Sequence, residues 1–98
     1  MDKIRTKEVN ELFDAILSLK SREECYMFFK DALTSSEILD IAQRLKAAKL
    51  LKAKTSYSEV CKRTGMSTAT ISRVSKALEK GAGGYNMVIE RAPGALED

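Results

Sequence analysis

Small hydroxylated side chains cluster in one short stretch of the chain, and they are well suited to contact another molecule. From Ser67 to Ser72 the sequence reads Ser-Thr-Ala-Thr-Ile-Ser. Hydroxyl groups both donate and accept hydrogen bonds, as contacts to base edges in the major groove of DNA require. A helix that begins with such small residues is slim enough to enter that groove. We therefore predict that this stretch opens a helix that reads DNA.

The surrounding residues predict two short helices joined by a tight turn, within residues 56–79. Ser56 caps the first helix, and Glu59 three residues later completes the spacing of a capping box. Gly65 supplies a residue that tolerates a positive φ angle where the first helix must end. This order is typical of a helix-turn-helix, whose second helix lies in the major groove.

The second helix is predicted to begin with Ser67 or Thr68 as its cap. Its apolar residues recur at a helical spacing, so they fall on one face. The residues expected to pack the two helices together are Val60, Met66, Ile71, Val74 and Leu78. An ordinary helical hairpin buried in a core is the alternative, but the hydroxylated face has nothing apolar to bury.

Positive charge is concentrated on the same segment. Residues 44–80 carry ten Lys or Arg against Glu59 and Glu79, a net charge of +8 in a chain whose total is +3. Lys46, Lys49 and Lys52 fall on one face of a predicted helix, where they are placed to meet phosphate. A charged run is usually only a solvated surface, so the prediction depends on its coincidence with the helix-turn-helix.

Several functional classes lack their characteristic residues. The chain contains no histidine, and its two cysteines, Cys25 and Cys61, are far apart in the sequence. We therefore expect reduced core thiols rather than a disulfide or a metal site. No phosphate-binding loop, nucleophile elbow, signal peptide or membrane-spanning run is recognisable. These observations predict a cytoplasmic protein that is not an enzyme, with no metal and no membrane partner.

Three further helices are predicted before the helix-turn-helix, within residues 6–53. The first covers residues 6–20, and Ser21 with Glu24 then provides a second capping box. Thr34 with Glu37 provides a third, which opens a helix reaching about Ala53. The residues of that helix expected to face inward are Ile38, Ile41, Ala42, Leu45, Ala48 and Leu51.

The apolar stripes on these helices exceed what a self-contained bundle of 98 residues needs. The second helix alone carries Cys25, Phe28, Phe29, Ala32 and Leu33 at helical spacing. We therefore predict a homodimer with a shared core, against the alternative of a monomer with a partly apolar surface. The C-terminal segment, 81–98, is less regular. Tyr85–Ile89 fits a short helix or a strand, Pro93-Gly94 is expected to end regular structure, and the last four residues are expected to fray.

From Leu33 to Leu78 the chain resembles the tryptophan repressor superfamily. The landmarks are Leu33-Thr34 with Glu37, Arg44, Ser56 with Glu59, Gly65, and the run Ala69-Thr70-Ile71-Ser72-Arg73 with Ser75. Over its whole length, including Gly81-Ala82-Gly83-Gly84-Tyr85, it is similar to the small Trp-repressor-related proteins of the YerC/YecD type. The resemblance implies an all-α, six-helix fold in a single domain, 1–98, intertwined as a homodimer through the N-terminal helices.

The resemblance also implies which residues contact DNA. The family contacts operator bases and phosphates at the positions of Ser67, Thr68, Ala69, Thr70 and Ser72. Ser58 and Cys61 match further DNA-facing positions, where the repressor carries basic side chains, which favours a different operator. With Lys49 and Lys52, these are the predicted DNA-binding residues.

The effector pocket of the family is matched only in part. Thr34, Arg44 and Arg73 match positions that in the repressor hold the carboxylate of tryptophan and sandwich its indole ring. Val74 departs from the pattern because the tryptophan-binding members have glycine there, and Ala77 replaces a ligand-binding serine. We therefore expect no cofactor and no L-tryptophan binding, with another small effector left open. Phosphate contacts or salt bridges within the chain are the alternative roles of the two arginines.

Together these features predict a sequence-specific DNA-binding transcriptional regulator, a repressor that binds double-stranded operator DNA as a homodimer. Two rivals share the fold. One is an adaptor for protein interactions that has lost DNA binding, and the other is a nucleoid or σ-like module that binds DNA without preference for an operator.

Overall fold

The computed structural model describes residues 2–92, and within that range the chain forms six α-helices and no β-strand. The predicted all-α fold with six helices is confirmed. The helices are α1 (Lys7–Leu17), α2 (Arg22–Ala32), α3 (Ser35–Lys52), α4 (Tyr57–Thr64), α5 (Thr68–Lys80) and α6 (Gly84–Arg91). The described chain divides after Ile38, within α3, into an N-terminal unit (residues 2–38) and a C-terminal unit (residues 39–92). The prediction of a single domain, 1–98, stays a prediction.

Side-chain caps fix where the helices of the N-terminal unit begin. The hydroxyl of Thr6 accepts the N–H of Val9 at 3.1 Å, and that of Ser21 accepts the N–H of Glu24, also at 3.1 Å. These bonds satisfy amide groups that have no partner inside the helix. The predicted capping box at Ser21 differs in one detail. The carboxylate of Glu24 accepts the N–H of Lys20, one residue before the cap, at 2.8 Å.

No described residue of α1 or α2 is buried. Large apolar side chains on these helices face solvent, and Leu17 has the highest exposure, at 81%. Phe28 and Phe29 are half-buried, with their rings edge to face and their centroids 5.3 Å apart. The apolar stripes predicted from the sequence therefore exist, but the N-terminal unit does not enclose them.

The C-terminal unit contains the buried core. Its centre consists of Val60 from α4, Ile71 and Val74 from α5, and Ala47 and Ala48 from α3. Leu50 and Ile89 complete the buried set. Because α3 and α6 also contribute to this cluster, the helix-turn-helix is held on two further helices.

The predicted inward face of α3 is partly wrong. Ala42 is exposed and Ile41 is 56% exposed, whereas Ala47 and Leu50 lie in the core. Apolar residues surround this helix on more than one side, so the periodicity of its sequence does not select a single face. Ala48 is buried as predicted.

The segment after α5 forms a helix, which decides between the two alternatives left by the sequence. Gly83 precedes α6 with a φ angle of +89°, a conformation that glycine adopts readily. Ile89 anchors the helix in the core. The predicted end of regular structure at Pro93-Gly94 and the predicted fraying of the last four residues lie outside the described residues.

Candidate nucleic-acid interface

The turn between α4 and α5 has the geometry that its sequence predicts. Gly65 ends α4 with a φ angle of +73°, and its N–H donates to the carbonyl of Cys61 at 2.8 Å. Ser67 then caps α5 by accepting the N–H of Thr70 at 3.2 Å. On α4, Ser56 accepts the N–H of Glu59 at 3.2 Å. Each hydrogen bond is local in sequence, so the chain specifies this turn without help from distant residues.

The side chain of Thr64 bridges the two sides of the turn between α4 and α5. Its hydroxyl donates to the carbonyl of Val60 at 2.7 Å and accepts the N–H of Met66 at 3.2 Å. The side chain therefore joins the last turn of α4 to the residue that follows the glycine. This arrangement fixes the direction in which the chain enters α5.

Buried side chains set the position of α5 against α4. Val60 and Ile71 are both 0% exposed, and Val74 is 3% exposed. Met66 and Leu78 are half-buried and pack against this cluster. All five apolar residues predicted to pack the hairpin therefore do so, and the opposite face of α5 is left for solvent or a partner.

The exposed start of α5 carries the predicted base-reading residues. Ser67, Thr68, Ala69 and Ser72 are exposed, while Thr70 is half-buried. The hydroxyl of Thr70 lies 3.1 Å from that of Ser67, so it belongs partly to the helix cap. Thr68 and Ser72 are four residues apart, which places them on the same face one helical turn apart.

Ser58 and Cys61, the two other positions that the resemblance assigns to DNA contact, differ in solvent exposure. Ser58 is exposed near the start of α4. Cys61 is half-buried, carries a free thiol and packs against the core cluster. The structure thus favours the packing role for Cys61, and its contact with DNA stays a prediction.

Exposed cations surround the helix-turn-helix. The exposed basic residues of α4, α5 and the link before α4 are Lys54, Lys62, Arg63, Arg73, Lys76 and Lys80. Lys49 is half-buried and is not without an interaction partner. The sequence places Lys46, Lys49 and Lys52 where they can meet phosphate. Of the six exposed residues, only Arg73 has an individual predicted role, in the effector pocket or at phosphate.

The side chain of Lys52 forms a hydrogen bond with a residue of α6. Its ammonium donates to the side-chain carbonyl of Asn86, whose amide group donates to the backbone carbonyl of Leu78 at 3.1 Å. Asn86 therefore links the end of α3 to α5. No local pattern predicts this contact because 34 residues separate the two side chains.

Thr34, predicted to hold the carboxylate of an effector, caps α3. Its hydroxyl accepts the N–H of Glu37 at 3.1 Å and donates to the carboxylate of Glu37, also at 3.1 Å. The N–H of Thr34 donates to the same carboxylate at 2.9 Å. These bonds, first from the backbone and then from the hydroxyl, lower the pKa of Glu37 below its ordinary value.

Arg44 lines a cavity of about 330 Å³ beside the turn, together with Asp40, Gln43 and Thr70. The side-chain oxygen of Gln43 is buried and has no hydrogen-bond partner. A buried acceptor of this kind normally has one, either from the protein or from water. Neither Arg44 nor Arg73 forms an ion pair or hydrogen bond with another residue of the range 2–92, which weakens the salt-bridge alternative for both.

The remaining predicted pocket residues lie in different surroundings. Arg73 is exposed, Val74 belongs to the buried core, and Ala77 is half-buried. Ala77 lines a second groove of about 490 Å³, with Ile41, Tyr85 and Val88 among its other residues. The cavity at Arg44 includes none of these three predicted residues.

Residues 2–92 contain no group of three or more His, Cys, Asp or Glu side chains placed to hold a metal ion. Within the same range no helix is long and apolar enough to cross a membrane.

Comparison with known proteins identifies the family. The sequence profile of the Trp repressor protein family matches residues 7–93. The chain belongs to the Trp repressor family. The predicted resemblance is therefore confirmed over nearly the whole chain.

Individual relatives agree with this assignment. The uncharacterized protein YerC of Bacillus subtilis (strain 168) is 48% identical over 91 residues, which cover 93% of this chain and 88% of the relative. The crystal structure of a TrpR-like protein from Eubacterium eligens has a TM-score of 0.90 and 48% identity, covering 98% of both chains. A candidate Trp repressor from Staphylococcus aureus has a TM-score of 0.87 and 47% identity, covering 91% of this chain and 89% of that one.

The Trp repressor family has a regulatory DNA-binding fold, so membership accounts for the exposed helix-turn-helix and the cations around it. Of the residues predicted to form an effector pocket, Val74 fills part of the core, and the hydroxyl of Thr34 caps α3. The pocket itself stays a prediction.

Proposed function

We propose that this protein is a transcriptional repressor that binds a specific operator in double-stranded DNA as a homodimer. The observation that carries the proposal is the exposed polar start of α5, presented by a hairpin whose opposite face packs against the core. Thr68 and Ser72 are exposed on that start, while Ile71 between them is 0% exposed. A helix fixed in this way presents short side chains with hydroxyl groups at a defined angle, as base recognition requires.

Charge supports the same interface. Cations at Lys62, Arg63, Arg73 and Lys76 are exposed on the two helices of the hairpin. Phosphate contacts from such residues supply affinity for any DNA sequence and release bound counterions. The hydroxylated residues then add the sequence preference, so the two groups of residues have separable effects.

The homodimer is supported by apolar surface that the chain leaves uncovered. In the N-terminal unit, Leu12, Phe13 and Leu17 are between 42% and 81% exposed. In the C-terminal unit, Ile41 and Val88 are 56% and 43% exposed at the rim of the 490 Å³ groove. Exposed apolar surface of this extent marks an interaction site, and a second copy of the chain is the occupant we propose. A cytoplasmic location belongs to the same proposal.

L-Tryptophan is not the effector in this proposal. A ligand carboxylate near Thr34 would meet the ionised carboxylate of Glu37, which already accepts both hydrogen bonds of that threonine. Val74 is a β-branched residue in a close-packed core, where the tryptophan-binding members have glycine. The protein therefore binds its operator either without a ligand or with a smaller one.

Selection of bound sequences from a random pool of duplex DNA tests the proposal directly. We expect a palindromic consensus whose half-sites are about 34 Å apart, because two hairpins of a symmetric dimer must reach the same face of one duplex. The affinity for the consensus and for a scrambled duplex is then measured at several salt concentrations.

Variants separate base reading from phosphate binding. Thr68→Ala or Ser72→Ala should weaken binding to the consensus by about 1–3 kcal/mol and leave scrambled DNA almost unaffected. Arg63→Ala should weaken both alike. Ser36→Ala, which changes an exposed serine in the N-terminal unit, is the control and should alter neither.

Each rival predicts a different result. A nucleoid-like module would bind consensus and scrambled DNA equally, and Thr68→Ala would then change both to the same degree. A protein adaptor would bind no duplex at low salt. Either result would refute an operator-binding repressor.

A further inference from the structure

The link between α3 and α4 contains an unusual backbone conformation. Lys54 has a φ angle of +69°, and among residues 2–92 it is the one residue other than glycine with a positive φ. Its N–H donates to the carbonyl of Leu51 at 3.0 Å, and the N–H of Thr55 donates to that of Leu50 at 3.0 Å. This pair of bonds is the Schellman motif that commonly ends an α-helix.

Glycine is the residue that this position favours. An L-residue with a side chain is strained there because its Cβ atom approaches the following carbonyl oxygen. The other two positive-φ positions of the described chain are both glycines, Gly65 and Gly83. Lysine at position 54 is therefore an exception within this chain, and observed strain of this kind is a reason to look for a function.

The backbone bonds of the Schellman motif hold Lys54 in this conformation, and its side chain adds no bond to them. The side chain of Lys54 is exposed and makes no hydrogen bond or ion pair with another residue of the range 2–92. Lys52, two residues earlier, differs because its ammonium donates to Asn86. Of these two neighbouring cations, Lys54 is the one without a side-chain partner among residues 2–92.

The surroundings of Lys54 suit an anion. Lys54 lines an open cleft of about 510 Å³ in the C-terminal unit, whose other lining residues include Lys52, Thr55, Tyr57, Ser75 and one carboxylate, Glu79. The cleft lining thus carries two ammonium groups and three hydroxyl groups against a single negative charge. Lys54 also lies two residues before Ser56, the cap of α4. In a helix-turn-helix the first helix crosses the DNA backbone, so a cation beside α4 is placed to meet phosphates.

We propose that the ammonium of Lys54 binds a phosphate of the DNA backbone, which anchors the start of α4 while α5 reads the bases. This inference rests on the proposed function, because it names a phosphate contact within the same interface.

Three substitutions of Lys54 separate charge from backbone strain. Lys54→Gly removes both, so the variant should melt at a higher temperature than the wild type and bind DNA more weakly. Lys54→Asn removes the charge but keeps a residue that tolerates positive φ. Lys54→Arg keeps the charge. Lys7→Ala, which removes one charge from α1 in the N-terminal unit, is the matched control.

The measurement is the dissociation constant for consensus and scrambled duplexes over a series of salt concentrations. For Lys54→Gly and Lys54→Asn we expect a loss of roughly three- to tenfold on both duplexes at low salt. The slope of log K against log salt should also decrease by about 0.9 for each chain of the dimer. Lys54→Arg and Lys7→Ala should keep the wild-type slope.

The inference is overturned if Lys54→Gly melts at a higher temperature yet keeps the wild-type affinity and salt slope. It is also overturned if Lys7→Ala lowers the slope as much as Lys54→Gly does, since the effect would then come from net charge alone. Failure of the proposed function gives a different result, in which the wild-type chain itself binds no duplex at low salt.

Discussion

The two units of the chain use apolar residues in opposite ways. In the C-terminal unit seven residues are buried and form one cluster under the helix-turn-helix. In the N-terminal unit no described residue is buried, although α1 and α2 carry Phe13, Leu17 and the edge-to-face pair Phe28 and Phe29. Side chains of the same types thus form a core in one unit and uncovered surface in the other.

This difference in burial matches the two proposed roles, DNA recognition in the C-terminal unit and dimerisation in the N-terminal unit. A recognition helix must hold a fixed angle, and the core beneath α5 provides that rigidity within a single chain. A dimerisation surface needs a partner, because its apolar area gains free energy only when a second copy covers it. We therefore predict that the folding of the N-terminal unit depends on protein concentration. The stability of the C-terminal core should depend on packing within a single chain.

The largest expected effect is at the N-terminal unit. Phe29→Asp places a charge in the half-buried aromatic pair and should abolish the folded dimer, because an intertwined core has no separately folded subunit. Sedimentation and circular dichroism at micromolar concentration measure the outcome. The wild type should sediment as a dimer, and its melting temperature should rise with concentration.

Asn10→Asp is the control for this substitution, since it adds one negative charge at an exposed polar position of α1. It should leave the dimer intact. A well-folded monomer, either from the wild type or from Phe29→Asp, would show that the N-terminal surface does not hold two chains together.

The second effect is at the C-terminal core. Ile71→Ala removes a side chain that is 0% exposed, and it should lower the free energy of unfolding by about 2–5 kcal/mol. Ile4→Ala removes the same atoms from a residue that is 59% exposed, and its effect should stay within about 0.5 kcal/mol. Urea denaturation measures both. Equal losses of unfolding free energy in the two variants would mean that the burial of Ile71 does not contribute to stability.

The third prediction concerns L-tryptophan. Calorimetric titration should detect no useful binding to the wild type, because Val74 occupies space that the indole edge requires. Overpacking of such a site typically costs about 1–3 kcal/mol. Val74→Gly should restore some binding if this side chain alone is the obstacle.

Val74→Ala is a necessary companion variant, because a glycine within α5 also destabilises the helix by about 1 kcal/mol relative to alanine. Both variants must be shown to be folded before titration. Tight binding of L-tryptophan to the wild type, with stronger operator affinity, would refute our account of the pocket.

The smallest effect is at the start of α3. The pKa of Glu37 is lowered by the hydrogen bonds from Thr34, so its ionised form stabilises the folded state. That contribution is complete above the ordinary pKa of the carboxyl group, and it is lost as the pH falls through the lowered value.

Glu37→Gln should therefore lower the stability near pH 7 slightly and flatten the acid limb of the stability–pH curve, while the stability below the lowered pKa stays almost unchanged. Urea denaturation across the acid range measures this. An unchanged acid limb would show that the capping bonds of Thr34 do not persist in solution.

The sequence predicted the local features well and the long-range features poorly. The caps at Ser56 and Ser67 and the turn at Gly65 depend on residues within a few positions of one another, and all three are confirmed. The contact between Lys52 and Asn86 joins residues that are distant in the sequence, so no periodicity reveals it.

Two other features escaped prediction for different physical reasons. The inward face of α3 was partly wrong because apolar residues surround that helix, and only packing decides that Leu50 is buried while Ile41 is not. The positive φ angle of Lys54 was invisible because its usual signal, a glycine, is missing. Which residues contact DNA or an effector remains a prediction.

The ratio of affinities for consensus and scrambled duplex, measured at one fixed salt concentration, tests the central claim most directly. A repressor that reads bases through the start of α5 should bind its consensus roughly a thousandfold or more tightly than scrambled DNA. Thr68→Ala should reduce that ratio while leaving the affinity for scrambled DNA unchanged. A ratio near one for the wild type would contradict sequence-specific recognition, however tightly the protein binds DNA.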